Sequence, residues 1–339
     1  MLKWLTIACF FSILFNTAEI NADPQKSGFR ILHVMSYHAF WKWNREQFQG
    51  FKSVFAGLDV EYKVVELDTK RNSNPVEIEK KVEQAKRIID EWNPHLIYAN
   101  DDNAQKYLIQ DYVGSDYPIV FSAVNRDPSE YNFVGADNVT GVMEYEHIVP
   151  TIRLLRQLVP DVKRISVIVD ADPTWKGVMG RMRSSVRQIP DVEITDWTLV
   201  QTLQQFQDKV MQLQDRVDAI AMLGVFNIKD ENGEDVDYEK IQRWVVENSN
   251  LPDFSFWQTR VERGTLCAVA VSGYQQGFMA GKMAKKILLD GVSPREIPIQ
   301  TRTEGVPMIN LMRARELGIK PNVNLLLSID AITDYTWEH

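Results

Sequence analysis

Aromatic and polar side chains that could hold a small molecule recur near the ends of the predicted strands of this chain. Aromatic rings offer flat apolar surfaces, and a few oriented polar groups fix the position of a ligand. The candidate ligand-binding residues are Ser36, Tyr37, Trp43, Asp101, Asp102, Ser122, Ala123, Asn125, Asp170, Thr174, Trp175, Val225, Phe226, Trp257 and Tyr274. Together they predict a binding site for a small organic molecule with a flat or apolar part, such as an aromatic amino acid.

The aspartates in this set allow opposite kinds of ligand contact. Asp101, Asp102, Asp170 and Asp172 could pair with a ligand amine or another cation. The helix starts that follow Asp102, Asn125 and Asp172 could instead present N–H groups to a carboxylate or phosphate. A structural role is open as well, because aspartate is a favoured N-cap residue. For residues 172–174 (Asp-Pro-Thr) we prefer helix capping, since the proline then takes the first helical position.

Sequence patterns of catalysis and metal binding are missing from the chain. It contains no Gly-x-Ser-x-Gly, no His-Glu-x-x-His and no Gly-x-x-x-x-Gly-Lys, and its five histidines lack zinc-ligand spacing. Residues 230–235 (DENGED) are acidic, but their glycine is fourth where a calcium loop needs it sixth. We therefore expect no catalytic residues, no metal and no cofactor. An exported α/β hydrolase or isomerase is the less favoured alternative.

Short apolar segments alternate with amphipathic segments, which predicts strands followed by helices. The predicted strands cover residues 30–35, 61–67, 95–99, 118–123, 164–169, 192–197 and 219–223, and residues 251–255 lead into another. The predicted helices cover residues 45–56, 75–92, 148–159, 175–189, 203–216 and 238–248. Apolar strands joined by helices favour parallel, doubly wound sheets. Two such rounds, joined near residues 138–146, predict an α/β protein with two lobes.

Three glycines give one predicted helix an unusually smooth face. Gly273, Gly277 and Gly281 follow one another at intervals of four residues. Residues three and four apart share a face of an α-helix, so these glycines lie in one row. The row predicts a close approach of that helix to the sheet or to the other lobe.

The N-terminus has the pattern of a secretory signal peptide. Lys3 precedes an apolar stretch over residues 4–15, and the small residue Ala22 is followed by polar residues. A membrane anchor is the alternative, but 12 helical residues span about 18 Å, less than the roughly 30 Å hydrocarbon layer of a bilayer. We expect residues 1–22 to be removed near Ala22 and the mature protein to be periplasmic.

Composition narrows the class of protein further. Hydrophobic residues make up 45% and charged residues 25% of the 339 residues, as in ordinary globular proteins. The formal net charge of -8, with no basic run, argues against a nucleic-acid partner. Once Cys9 leaves with the signal peptide, Cys267 cannot form an intramolecular disulfide. An exported protein without disulfides needs a large core, which favours the bacterial periplasm.

Several ordered motifs resemble one family of exported proteins. They are residues 138–142 (NVTGV), 273–277 (GYQQG), 280–284 (AGKMA), 287–291 (ILLDG), 297–299 (IPI), and Asn310 with Ala314 and residues 317–319 (LGI). Together, these motifs are similar to those of the tryptophan/tyrosine-binding-like substrate-binding proteins of ABC importers. The resemblance implies a type I periplasmic binding fold, with crossing hinge strands and no catalysis. It implies lobes of residues 28–143 plus about 272–305 and 144–271 plus about 306–339, and an ABC permease as partner.

The opening segment is similar to a different branch of related domains. Residues 36–38 (SYH), Trp43 and residues 50–51 (GF) resemble a signature found in extracytoplasmic input domains of bacterial sensors. This resemblance implies a ligand-binding component that signals to a membrane kinase or cyclase. The sequence leaves open whether the partner is a transporter or a sensor, and it identifies neither the ligand nor the oligomeric state.

Overall fold

The computed structural model describes residues 28–69, 71, 74–171, 174–225, 227–301 and 303–338. The predicted signal peptide and its cleavage site lie outside these residues. The same is true of Phe226 and of the predicted cap at residues 172–173.

A parallel five-stranded sheet forms the centre of what we call the first lobe. Its strands are β1 (Phe29–Met35), β2 (Val60–Glu66), β3 (Leu96–Asn100), β4 (Ile119–Val124) and β5 (Val139–Met143), in the order β2-β1-β3-β4-β5. The helices between them are α1 (Lys42–Ser53), α2 (Pro75–Trp92) and α3 (Asp101–Tyr107). Apolar side chains cover both faces of this sheet, as the doubly wound pattern requires.

Helix α2 shows how neighbouring residues determine where an element begins, which face it buries and where it ends. The Asn74 side chain accepts a hydrogen bond from the Val76 N–H at 3.0 Å, and Pro75 occupies the first helical position. Buried apolar residues at helical spacing, such as Ile78 and Val82, face the sheet. Asn93 then ends the helix in the left-handed conformation at φ 47°. The helix predicted over residues 75–92 is confirmed.

A seven-stranded sheet forms the centre of the second lobe. Chain order first gives α4 (Ile148–Leu158), β6 (Arg164–Val169), α5 (Thr174–Val186), β7 (Glu193–Leu199), α6 (Leu203–Leu213), β8 (Ala219–Met222), α7 (Tyr238–Asn248), β9 (Asp253–Phe254), α8 (Gln258–Glu262) and β10 (Cys267–Ala270). After α9 (Gly273–Asp290), which packs on the first lobe, come β11 (Val306–Asn310), α10 (Leu311–Glu316), α11 (Val323–Leu326) and β12 (Asp330–Ile332). The order in the sheet is β12-β11-β10-β9-β8-β6-β7.

One strand pair corrects the expectation of wholly parallel sheets. Strand β10 pairs with β11 in antiparallel orientation, from Cys267 opposite Ile309 to Ala270 opposite Val306. The physical reason is the path of the chain. Strand β10 runs out of the second lobe towards α9, and β11 brings the chain back, so the two neighbours point in opposite directions.

Three segments connect the lobes in the described chain. They follow β5, follow β10 and precede β11. The first and third lie side by side, because the Met143 N–H donates to the Gln300 carbonyl at 2.8 Å and the Gln300 N–H donates to the Gly141 carbonyl at 2.9 Å. These paired segments are the crossing strands of a hinge.

The glycine row of α9 packs against helix α1. A Cβ placed on Gly277 would collide with the Gln47 carbonyl, and one on Gly50 of α1 would collide with the Tyr274 carbonyl. The predicted close approach is therefore present. Its partner is a helix of the same lobe, not the sheet or the other lobe, because α1 offers its own glycine at the crossing.

Within the described residues, no helix is both long and apolar enough to span a membrane. Cys267 lies fully buried in the core of the second lobe.

Candidate functional site

A cavity of about 540 Å³ lies between the two lobes. Both lobes line it, mostly with aromatic and charged side chains. The lining residues are Tyr37, His38, Phe40, Trp41, Lys42, Trp43, Glu46, Asp101, Asn125 and Glu144 from the first lobe and the hinge, and Trp175, Tyr238, Glu239, Trp257, Gln258, Thr259, Arg260, Glu262, Arg263 and Val271 from the second. Residues that follow β1, β3, β4 and β6 are among them, so the cavity lies where parallel sheets bind ligands, at the carboxyl ends of strands.

Trp43 enters the cavity from the first turn of α1 and is fixed by Asp101. Its Nε1–H donates to Asp101 Oδ1 at 2.8 Å, and Gln47 Nε2 lies 3.3 Å from Asp101 Oδ2. Asp101 begins α3 directly after β3, with a left-handed backbone (φ 60°), and is almost fully buried. The first lobe therefore presents an indole ring whose orientation is set by a buried carboxylate.

Trp175 is held in the same way in the second lobe. Its Nε1–H donates to Asp170 Oδ1 at 2.6 Å, and Asp170 Oδ2 accepts the Asn227 N–H at 3.0 Å. The indole lies so close to Gly224 that a Cβ there would overlap the ring. Glycine at this strand end therefore makes room for the tryptophan.

Trp257 connects the second lobe to the hinge. Its Nε1–H donates to Glu144 Oε1 at 3.0 Å, and Asn125 Nδ2 donates to Glu144 Oε2 at 3.0 Å. The pKa of Glu144 is raised to about 7, mainly by burial and in smaller part by the neighbouring carboxylates of Glu146 and Asp102, while these two hydrogen bonds act to lower it. Glu144 thus changes charge near neutral pH at the point where the lobes meet.

The aromatic rings meet at defined angles. Trp175 and Trp257 pack edge to face, with ring centroids 5.9 Å apart at 73°. Tyr37 lines the same cavity and is partly exposed, and the loss of hydration there, with the nearby charge of Asp101, raises its pKa well above the usual value. Its hydroxyl therefore stays protonated at any physiological pH.

The second lobe also contributes two arginines to the cavity, Arg260 and Arg263. Arg260 is fully buried, donates from Nη2 to the Leu223 carbonyl at 2.9 Å, and lies over the Tyr238 ring at 4.8 Å. Burial lowers the pKa of Arg260 to about 10, which keeps it positive at neutral pH. Arg263 also covers Tyr238 and pairs with Glu239 at 2.6 Å.

An ion pair bridges the two lobes at the cavity. Lys42 Nζ of α1 lies 2.8 Å from Glu262 Oε1 of α8, and Gln258 Nε2 donates to the same oxygen at 2.9 Å. Phe40 is 85% exposed and Trp41 38% exposed, so both lie at the edge of the cavity. These contacts join the lobes across the entrance.

The structure brings only part of the predicted site together. Tyr37, Trp43, Asp101, Asn125, Trp175 and Trp257 line the cavity. Ser36, Asp102, Ser122, Ala123, Asp170, Val225 and Tyr274 do not line it. The Thr174 side chain and Phe226 lie outside the described part of the chain.

Some predicted residues away from the cavity, such as Ser36 and Asp102, hold the strand ends that carry residues of its lining. Ser36 Oγ donates to the Asn100 carbonyl and accepts the Ala104 N–H, both at 2.7 Å. Asp102 accepts the Asn125 N–H at 3.1 Å and the Tyr131 hydroxyl at 2.8 Å, which positions the loop after β4. These contacts fix strand ends and leave the polar groups internally satisfied.

Three further predicted residues have other surroundings. Ser122 lies inside β4, not after it, and contacts Gln47 Oε1 at 2.5 Å. Ala123 takes a left-handed backbone (φ 59°), and its N–H donates to Gln276 of α9 at 3.1 Å. Tyr274 is 40% exposed on α9, because that helix buries its glycine row against α1 and turns this ring outwards.

Sequence reasoning missed Glu144 and most of the other charged residues that line the cavity. Glu144 follows β5 directly, so the rule of polar residues after strands could have found it. Arg260 and Tyr238 lie on short second-lobe helices, and no local sequence signal distinguishes them from surface residues. In the described chain, no group of three or more His, Cys, Asp or Glu side chains is placed to hold a metal ion.

Comparisons with known proteins agree with this architecture. The model of the "ABC transporter substrate binding protein" family matches residues 44–332. A search of curated proteins finds no significant match. Tyr37 and Trp43 precede the matched residues.

Solved structures of other bacterial proteins share the fold across almost their full length. The ligand-free, open structure of CD0873, a substrate-binding protein with adhesive properties from Clostridium difficile, is 16% identical with a TM-score of 0.70, over 90% of this chain and 99% of that one. A Streptococcus pneumoniae ABC domain in complex with L-Trp is 18% identical with a TM-score of 0.62, over 91% and 100%. A conserved domain protein from Vibrio cholerae is 19% identical with a TM-score of 0.60, over 90% and 99%.

These likenesses confirm the type I periplasmic binding fold expected from the sequence: two α/β lobes around sheets that are mainly parallel. The family model covers most of the chain. The chain belongs to the family of ABC transporter substrate-binding proteins.

Proposed function

We propose that this protein is an exported solute-binding protein that captures a small organic ligand between its lobes and delivers it to an ABC importer, without catalysis. The supporting observation is the cavity between the lobes, to which the first lobe contributes Trp43 and the second contributes Trp175 and Trp257. A cavity of this size and aromatic content suits a small molecule. No residues placed for covalent or hydrolytic chemistry were recognised in the sequence.

The proposed mechanism is hinge closure. The lobes comprise residues 28–143 plus about 272–305 and 144–271 plus about 306–339, and they rotate about the paired crossing segments. Ligand contacts to both lobes exist only in the closed form, so binding shifts the open–closed equilibrium. The ion pair of Lys42 and Glu262 likewise joins the two lobes in the closed form.

The ligand has a flat or apolar part that lies among the rings of Tyr37, Trp43, Trp175 and Trp257. The L-Trp complex of the Streptococcus pneumoniae protein makes an aromatic amino acid the first ligand to test. The site acts in the periplasm after removal of residues 1–22. The partner is an ABC permease.

Mass spectrometry of the freshly purified protein, native and then denatured, tests this function. We expect denaturation to release a small molecule. The same molecule should keep its mass after it has been bound again and released again. Saturating ligand should also stabilise the fold by about 2.7 kcal/mol at a hundredfold excess over Kd, because it binds only the folded protein. Chemical conversion of the bound molecule would contradict the proposal.

Signalling to a membrane kinase or cyclase remains the second candidate. The opening signature shared with sensor input domains includes Tyr37 and Trp43, and both line the cavity. Ligand uptake by membrane vesicles that contain the cognate permease distinguishes the two. Uptake that needs this protein supports transport, whereas ligand-dependent kinase or cyclase activity without uptake supports signalling.

A further inference from the structure

The three tryptophans of the cavity share one mode of attachment. Trp43, Trp175 and Trp257 each donate the indole N–H to a buried carboxylate, at 2.8, 2.6 and 3.0 Å. Since the N–H groups are engaged, the rings offer a ligand their faces and edges but no donors. The face of an indole ring carries the negative part of its quadrupole and attracts cations.

The carboxylates that hold these rings add negative charge behind them. Asp101 and Glu144 line the cavity, and Asp170 lies beneath Trp175. The hydrogen bonds to Glu144 come from an indole and an amide N–H. Neutral donors of this kind stabilise a carboxylate but leave its charge in place. The aromatic part of the cavity is therefore negative in potential when these groups are ionised.

The basic side chains of the cavity are engaged by other groups. Lys42 pairs with Glu262 at 2.8 Å, and Arg263 pairs with Glu239 at 2.6 Å. Arg260 donates to the Leu223 carbonyl and lies over Tyr238. The nearby charge of Asp170 favours the positive form of Arg260. An anionic ligand would have to compete with these contacts for most of the donors, although the buried Arg263 Nε carries no hydrogen bond within the described residues.

We propose that the ligand is a small organic cation, a protonated or quaternary amine whose positive charge lies against the indole faces of Trp43, Trp175 and Trp257 and close to Asp101 and Glu144. This inference rests on the proposed role of the cavity as the solute site. It deepens that role, because it assigns the charge of the solute as well as its aromatic surroundings.

A series of ligands with the same ring but different charge tests the inference. Tryptamine is a cation, L-tryptophan a zwitterion and indole-3-propionate an anion, and choline is a cation without a ring. Affinities are measured by calorimetry at pH 8, where Glu144 is mainly ionised. We expect at least one of the two cations to bind about tenfold or more tightly than either L-tryptophan or indole-3-propionate, as desolvated cation–π contacts allow.

Charge-removing variants identify the groups responsible. Asp101→Asn and Glu144→Gln keep the shape of each side chain and should weaken binding of the tighter cation about fivefold or more, since each removes a nearby negative charge. Glu193→Gln, at the exposed start of β7, is the matched control and should bind like the parent protein. Melting curves of all variants verify that they are folded.

The outcomes separate this inference from the proposed function. L-tryptophan or indole-3-propionate binding as tightly as the cations would overturn the cation assignment and leave solute binding intact. Full affinity in both carboxylate variants would also overturn it. If no probe binds at 10 mM the cation assignment fails, and the mass spectrum of the co-purified ligand then decides separately whether the protein binds a solute at all.

Discussion

Single carboxylates decide much of the character of this cavity. Glu144 is the clearest case, because it is buried at the hinge between Asn125 of one lobe and Trp257 of the other. Its environment favours the neutral form, with a pKa of about 7 in place of the usual 4.5. A buried acid with two neutral donors is tolerated, but ionising it costs stability.

The pH dependence of stability follows from this shift. Between pH 4.5 and 7 the folded protein holds the Glu144 proton more strongly than the unfolded chain, so the free energy of unfolding should fall as pH rises, by at most about 1.4 kcal/mol per pH unit. Well above pH 7, Glu144 causes no further fall in the free energy of unfolding. Glu144→Gln removes the loss and should melt higher than the parent protein at pH 8, with a smaller gain or none at pH 5.

Scanning calorimetry of the ligand-free protein at both pH values checks this prediction. Glu193→Gln, which changes an exposed carboxylate of β7, provides the control for a general charge effect. A melting difference between Glu144→Gln and parent that is equal at pH 5 and pH 8 would show that Glu144 does not titrate as described.

At the scale of elements, the contact of α1 with α9 positions the first half of the site. Helix α1 carries Trp43 and Gln47, both of which contact Asp101. Helix α9 approaches it closely only because Gly277 and Gly50 lack side chains at the crossing. The sequence predicted the smooth face of α9. It could not name α1 as the partner, because a helix surface is matched to its neighbour only when the chain is folded.

Gly277→Ala and Gly180→Ala form a matched pair that tests this contact. The methyl group on Gly277 would collide with the Gln47 backbone and should destabilise the protein by about 1–3 kcal/mol through overpacking. Gly180 lies within α5 with open space around it, so alanine there should stabilise by about 0.5–1 kcal/mol. Urea unfolding measures both, and equal effects of the same sign would disprove the close crossing.

At the scale of the whole molecule, contacts across the entrance hold the lobes together. The pair of Lys42 and Glu262 is partly exposed, with side-chain accessibilities of 38% and 22%. Exposed ion pairs contribute little to stability and are screened by salt. A small contribution is nevertheless enough to change the balance between open and closed forms, because ligand affinity depends on that balance.

Lys42→Met should therefore shift the ligand-free protein towards the open form and weaken ligand binding by up to about fivefold, the upper range for an exposed pair. The effect should shrink at 1 M salt, where charges are screened over about 3 Å. Small-angle scattering reports the opening, and titration of the tighter cation reports the affinity.

Lys80→Met is the control for this experiment. Lys80 pairs with Glu77 on the same helix, so its removal should change neither the scattering nor the affinity. An unchanged scattering profile, or tighter binding of the cation, in Lys42→Met would mean that Lys42 acts on the ligand through its charge and not by holding the lobes.

The amino-acid sequence by itself determined the local elements and the fold. Apolar periodicity, caps such as Asn74 and stops such as Asn93 act over a few residues, so the bounds of helix α2 follow from neighbouring residues alone. The tertiary structure alone decided which strand ends face one cavity. Trp43, Trp175 and Trp257 are far apart in the chain yet line the same space.

The tertiary structure also decided which polar and charged side chains become partners. Glu144 meets Trp257 113 positions away, and Lys42 meets Glu262 220 positions away. Tyr274 has the same residue type as Tyr37, but lies on the outer side of α9. Such contacts depend on how two lobes pack and close, and no local pattern of side chains carries that information.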